Sequence, residues 1–160
     1  MPDMLVKLYE LPDLAPLIEA QRGAGIDLRR GLAPEKHIVA AFAREHFSAG
    51  WASECEVAYS NSPVTAFVAV DDQRLAGFAC YDAACKGFFG PTGVDPAYRG
   101  RGIGKALLIA CLHAMWAAGY GYAIIGAAGP TTFYEQAVGA VAIPGSWPGV
   151  YRGLLRDSDT

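Results

Sequence analysis

The sequence predicts one α/β domain built on a mixed sheet, and three observations carry that prediction. The chain has 160 residues, 52% apolar and 18% charged, a globular composition with interior enough for a single core. From Gly102 to Pro130 the only charged or potentially charged side chains are Lys105 and His113. Gly119 and Gly121 divide that stretch into a helical stripe and a short strand run, so a core helix followed by a core strand fits better than a membrane span. Near Val64 the apolar spacing switches from a helical to an alternating period.

Taken in order, Leu5 to Tyr9 reads as a first strand. Asp13 is placed to cap a helix carrying Leu14, Leu17 and Ile18 that stops at Gly23. Pro34 starts a second helix with Ile38, Val39 and Phe42 on its inner face. Trp51, Cys55, Ala58 and Tyr59 mark a further short helix. Val64 to Val70 and Leu75 to Asp82 are strands joined by the polar turn Asp71-Asp72-Gln73, and Lys86 to Val94 is a third. Ile103, Leu107, Leu108, Cys111, Leu112 and Met115 share one stripe of the long helix, and Tyr122 to Ile125 is the buried strand after it. A helix from Thr131 to Val138 precedes two strands, Val141 to Ile143 and Gly149 to Leu154, separated by Pro144-Gly-Ser-Trp-Pro148. No repeat, low-complexity tract or linker interrupts this order.

A net charge of −3 and a pI near 5.5 lack the basic footprint of a nucleic-acid binder. Cys55, Cys80, Cys85 and Cys111 form no CxxC pair, and His37, His46 and His113 show no metal spacing with them, which reads as reduced thiols and no metal. The N-terminus has no apolar core of a secretory signal, and with reduced thiols a cytoplasmic location is expected.

The chemistry is concentrated in Asp-Pro-Ala-Tyr-Arg-Gly-Arg-Gly-Ile-Gly-Lys, residues 95–105. Glycines at 100, 102 and 104 let an anion approach the backbone. Arg99, Arg101 and Lys105 add charge beside it, and a helix starting near Gly102 offers unpaired N–H groups and the positive end of its dipole. A P-loop would need glycine where Arg99 stands and Ser or Thr where Ala106 stands. A dinucleotide fingerprint would need a different glycine spacing and an acidic residue ending a following parallel strand. Arg-x-x-Gly-x-Gly, that is Arg99, Gly102 and Gly104 between a strand and a long helix, fits neither.

That arrangement resembles the pyrophosphate-binding motif of the GNAT superfamily of N-acetyltransferases. Val94 to Gly104 is similar to that family's fourth strand and following turn. Phe133-Tyr134-Glu135, with Val138-Gly139-Ala140 after it, is similar to its FYEK-x-GF segment. The resemblance is specific over Lys86 to Ala140. It implies an α/β fold with a central mixed, mostly antiparallel sheet of about six to seven strands flanked by helices. The sheet would be splayed between its fourth and fifth strands, here the one ending at Val94 and the one at Tyr122.

The resemblance further implies acetyl-CoA as cosubstrate. Gly93 and Val94 would pair with pantetheine, and Arg99, Gly100, Arg101, Gly102, Ile103, Gly104 and Lys105 would hold the pyrophosphate. An N–H near Val94 would stabilise the oxyanion, and Tyr134 would face the sulfur. A phenol of pKa ~10 giving its proton to a thiolate whose acid has pKa ~8.5 runs uphill by about 2 kcal/mol, so the proton passes late in thiolate departure.

The residues do not single out a general base. Gly87 to Gly93 has no titratable side chain, and the Asn often preceding the FYE helix in such proteins is replaced by Ala127-Ala128-Gly129-Pro130. Glu54, Glu56, His46, Asp82 and Tyr81 all stand as candidates, as does a base-free route through water or an already neutral amine. The resemblance implies that the loop between the final strands borders the acceptor entrance, so Trp147 would line it. Phe88, Phe89 and Trp51 would make an apolar neighbourhood, which favours a small-molecule amine with apolar bulk over a polyamine. Acetylation of a protein amine and a non-catalytic acyl-CoA sensor are the competing readings. Family members often pair through C-terminal strands, and Gly149 to Leu155 would leave an apolar edge, so a homodimer is expected.

Overall fold

The computed structural model describes residues 1–158. The chain runs β1 (Met4–Lys7), α1 (Ala15–Gly23), β2 (Ile26–Arg30), α2 (Lys36–His46), α3 (Ala49–Ser60), β3 (Ala66–Asp71), β4 (Arg74–Tyr81) and β5 (Phe88–Val94). It continues through α4 (Ile103–Ala117), β6 (Tyr122–Ile125), α5 (Thr131–Val138) and β7 (Val141–Ala142). Among the described residues the strands form one sheet in the order β2-β3-β4-β5-β6-β1-β7. Every neighbouring pair is antiparallel except β5 and β6, as the expected mixed, mostly antiparallel sheet requires.

The long apolar helix anchors one face. Ile103, Leu107, Leu108, Cys111, Leu112 and Met115 are all buried, and so are Ala106, Ile109 and Ala110, which explains why the segment read as nearly free of charge. Together with Leu17 of α1 and with Tyr134, Ala137 and Ala140 around α5, that helix packs on Met4, Val6, Leu8, Ala76, Ala79, Phe89 and Ile125. Full burial of each such Leu, Ile or Met stabilises the fold by about 1.5–3 kcal/mol. The opposite face is covered by α2 and α3, where Val39, Ala43, Cys55, Ala58 and Tyr59 meet Val68, Phe78 and Cys80.

Several expectations are corrected. The stretch Ile26-Asp-Leu-Arg-Arg30 is a strand that the sequence reading passed over: it pairs along its whole length with β3, from Ile26↔Asp71 to Arg30↔Phe67. Only Ile26 and Leu28 of it are buried, a period-2 signal too short to stand out, and its arginines blunt a sheet edge. The first helix begins at Ala15 with Leu14, not Asp13, at its N-cap, where Pro16 has no N–H to satisfy. In α2 Val39 is buried but Ile38 is 51% exposed, because the inner face runs through Val39, Ala40 and Ala43. The first strand ends at Lys7, followed by a 3-10 turn over Leu8–Glu10.

The largest correction lies at the C-terminus. Gly149 to Leu154 is not a strand; a 3-10 turn, Gly149–Tyr151, follows Pro148, and no strand or helix follows among the described residues. The physical reason is that β1 already fills the edge of β6, pairing from Met4↔Ile125 to Lys7↔Tyr122 on one side and with Val141 and Ala142 on the other. Asp3 fastens this arrangement. Its carboxylate accepts the Ala127 N–H at 2.8 Å, its carbonyl accepts the Ile143 N–H at 2.8 Å, and its own N–H donates to Ser146 Oγ at 2.8 Å.

Because β1 joins β6 to β7, its core side chains are structural for both. Met4→Ala, which empties a fully buried position, is expected to cost about 2–5 kcal/mol in a urea titration.

Candidate active site

The glycine turn sits where β5 leaves the sheet. Asp95 accepts the Ala97 N–H and caps a 3-10 turn over Pro96–Tyr98. Gly100 and Gly102 then adopt left-handed conformations, at φ 79° and 80°, that L side chains rarely reach. Gly102 is the N-cap of α4, and no side chain caps it. The first N–H groups of that helix therefore lack an acceptor within it and face outward. Ile103 contributes only its backbone there, since its side chain is buried in the core.

The three cations differ. Arg99 Nε donates to the Val94 carbonyl at 3.3 Å, Arg101 lies over the Tyr98 ring at 5.1 Å, and Lys105 is exposed. One residue at this turn was missed by the sequence reading: Gln21 of α1, buried, donates from Nε2 to the Arg101 carbonyl at 2.8 Å. A polar residue among the core positions of a helix was the signal for it. Its Oε1 has no hydrogen-bond partner.

The sheet opens beside this turn. The parallel pairing of β5 and β6 lasts only for Phe88↔Ile124 and Phe89↔Ile125, after which the strands part. On its other side β5 stays paired to β4 through Val94, with a bulge opposite Cys80 where Gly90 (φ 120°) and Pro91 are inserted. Thus Thr92, Gly93 and Val94 remain in the sheet while β6 diverges. Gly93 has no room for a side chain, since a Cβ there would lie 2.5 Å from the Phe47 ring.

Tyr134 is buried on α5 next to the fork, edge-on to Phe89 with ring centroids 6.4 Å apart and to Phe133 at 5.0 Å. Burial pushes its phenol pKa up. Next to the fork lies a cleft of about 680 Å³. Trp51, Phe88, Phe89 and Trp147, which the sequence reading grouped, all line it, as do Pro91, Ala127, Tyr151 and Leu154. Its C-terminal wall was not legible, because those residues follow no periodic pattern.

Residues 32–139 match the model of the acetyltransferase (GNAT) family. The chain belongs to the GNAT acetyltransferase family. Its sheet and flanking helices have the GNAT fold, which solved structures share. A GCN5-related glucosamine N-acetyltransferase region of a fungal multi-domain GH3 beta-N-acetylglucosaminidase superposes with TM-score 0.71 at 15% identity, over 89% of this chain and 19% of that one. A GCN5-related N-acetyltransferase from Sphaerobacter thermophilus gives 0.69 at 22% identity, covering 89% and 48%. One from Kribbella flavida gives 0.58 at 16% identity, covering 88% and 53%. The chain thus spans about half the length, or less, of these GNAT structures. A search of curated proteins returned no match.

Within this GNAT domain the five candidate bases separate. Asp82 accepts the Gly87 N–H at 2.7 Å and the Tyr120 hydroxyl, so it builds the β4–β5 connection. Tyr81 accepts from Arg30 at 3.0 Å. His46 is exposed and packs at a tilt against Phe42, and Glu56 is exposed on α3. Only Glu54 lines the cleft, where burial pushes its carboxyl pKa up. Among the described residues no group of three His, Cys, Asp or Glu converges as a metal site, and no helix is long and apolar enough to cross a membrane.

The N-cap glycine of α4, Gly102, and the glycine in its first turn, Gly104, are expected to respond oppositely. At Gly104 a Cβ meets only Val94 Cγ2 at 3.7 Å, an ordinary contact. Gly104→Ala should therefore hold or raise stability by up to about 1 kcal/mol, the helix-propensity gain. Gly102→Ala forces a left-handed alanine against Gln21 Nε2 and should lose about 1–2 kcal/mol. Chemical denaturation of both variants checks this.

Proposed function

We propose that the protein is an N-acetyltransferase that moves the acetyl group of acetyl-CoA to the primary amine of a small molecule by direct attack in a ternary complex. The observation that carries this reading is the fork between β5 and β6 opening beside an uncapped helix N-terminus. The residues there suit coenzyme A: an anion finds free N–H groups, the helix dipole and the cations Arg99, Arg101 and Lys105 together. Gly93 and Val94 present the strand edge along which pantetheine would lie, and the glycines at 100, 102 and 104 keep side chains away from the diphosphate.

Bound acetyl-CoA would supply an activated acyl group and a thiolate leaving group. An N–H near Val94 polarises the carbonyl and stabilises the oxyanion. The amine lone pair forms the C–N bond and the C–S bond breaks. Tyr134 donates to the sulfur as its charge develops. Because burial raises that phenol further above a thiol, the proton moves late, when the thiolate has formed. A sensor that only binds acyl-CoA would have no use for a buried phenol at the fork, which favours the enzyme reading over it.

The test combines two variants with thermal shift and thiol-release kinetics. Acetyl-CoA should raise Tm of the wild type, and Gly104→Asp, which sets a carboxylate against the pyrophosphate, should abolish that shift. Tyr134→Phe should keep acetyl-CoA affinity while kcat falls by roughly 10²-fold, without rescue at higher pH. Wild-type kcat in Tyr134→Phe removes the role assigned to the phenol.

We also propose a cytoplasmic location, in keeping with the four free cysteines. We further propose a homodimer. The strand that motivated this expectation is not formed, but the β7 edge with Val141 and the tail residues Leu154 and Leu155 leave apolar surface exposed. Light scattering should then give twice the 16.9 kDa chain mass; the monomer mass across a wide concentration range excludes it.

A further inference from the structure

The cleft next to the fork is mostly apolar, and one carboxylate stands in it. Trp51, Phe88, Phe89, Trp147, Val150 and Leu154 form most of its wall. Glu54, one helical turn from Trp51 on α3, is the only Asp, Glu, Lys or Arg among its described lining residues. Among the described residues no hydrogen bond or ion pair engages its carboxylate. An exposed surface glutamate keeps its water; this one has lost part of it, and its pKa rises for that reason alone. Met1 lines the same cleft, and its terminal amine forms no ion pair with Glu54; the other groups that face the carboxylate carry no positive charge. The Tyr151 phenol across the cleft is pushed up to about 12 by burial and by the Glu54 charge, and the buried Cys80 thiol on the strand behind is held neutral. Cys85 lines the same cleft, and Asp3 behind Gly149 adds only like charge.

A partly desolvated carboxylate without a partner costs stability until a cation arrives. Resting on the acetyltransferase reading, we propose that Glu54 receives the ammonium of the acceptor, and that the acceptor is a monoamine carried on a compact aromatic or aliphatic body. The volume is that of a small-ligand site. One carboxylate balances one ammonium, so the further cations of a polyamine would be left against Trp and Phe rings. With no Arg or Lys in the wall, an amine that also carries a phosphate or carboxylate is disfavoured.

Glu54 also removes the proton that blocks the nitrogen lone pair. The ammonium gives one proton to the Glu54 carboxylate, and the free amine attacks the thioester carbonyl. The C–S bond breaks, and the second nitrogen proton replaces the one that Tyr134 passes to the thiolate. Glu54 releases its proton to water. Ammonium and thioester thus become amide, thiol and one proton.

The purified chain is assayed with saturating acetyl-CoA and either phenethylamine or spermidine, with phenethyl alcohol as a neutral competitor. We expect kcat/KM for phenethylamine to exceed that for spermidine by roughly 10-fold or more. Glu54→Gln should lower the phenethylamine value by roughly 10²-fold, the scale of a lost proton acceptor. Inhibition by phenethyl alcohol and the acetyl-CoA thermal shift should be unchanged. The same variant should have a higher Tm than wild type at neutral pH. The difference should vanish below the ordinary glutamate pKa of about 4.3, where both side chains are neutral. Wild-type kinetics in Glu54→Gln, a preference for spermidine, or no gain in Tm overturns the assignment. So does a wild type that binds acetyl-CoA but acetylates neither amine, which leaves the donor-site reading intact. Failure to bind acetyl-CoA overturns the transferase reading itself.

Discussion

Everything in the site depends on a ladder that stops after two pairs. Phe88 and Phe89 hydrogen-bond alongside Ile124 and Ile125, and then β6 departs while β5 continues to Val94 against β4. The separation has a local cause in β5. Gly90 and Pro91 form a bulge, and a proline has no N–H to offer a neighbouring strand. An unpaired strand edge inside a protein is costly when nothing satisfies it. An extended ligand with amide groups is the natural complement to such an edge.

The fork stays open because its two sides are held by different packing units. β5 is clamped through β4 between the α4 core and the aromatic group of Phe42, Phe47, Trp51 and Phe78. β6 is held by β1, whose Met4 and Val6 are buried to the same depth as the residues of the long helix. Asp3 then ties the exit of β6 at Ala127 to the loop before Ser146. The same contacts bring Trp147 and Tyr151 to the cleft, so the cleft wall and the sheet edge are one construction.

The site sets apolar surroundings against a few polar groups. Tyr134 and Glu54 both have raised pKa values, and in both burial is the cause. In the proposed reaction this would delay proton donation by the phenol until the thiolate exists, and would make the carboxylate a stronger base that favours a cation beside it. Both groups come from helices on opposite faces of the sheet, α5 and α3: Tyr134 packs edge-on to Phe89, and Glu54 lines the cleft that Phe89 also lines.

How much of this the chain declares locally follows from the range of each interaction. The sequence by itself determined the glycine turn at 100–104, the buried helix after it, the strand at Tyr122 and the helix carrying Tyr134, because periodicity and glycine spacing act over a few residues. It also grouped Trp51, Phe88 and Phe89, which line one cleft, while Trp147 joined them through the family resemblance. It did not show that Ile26–Arg30 is a strand, since two apolar positions between charges carry too little pattern. It could not separate Glu54 from Glu56 either, two residues apart on one helix, because the difference is which side meets the cleft. Tertiary structure alone decided that β1 fills the edge of β6. With that edge taken, Gly149 to Leu154 had no ladder to join and became the wall of the cleft: a strand exists only where a partner leaves its hydrogen bonds free.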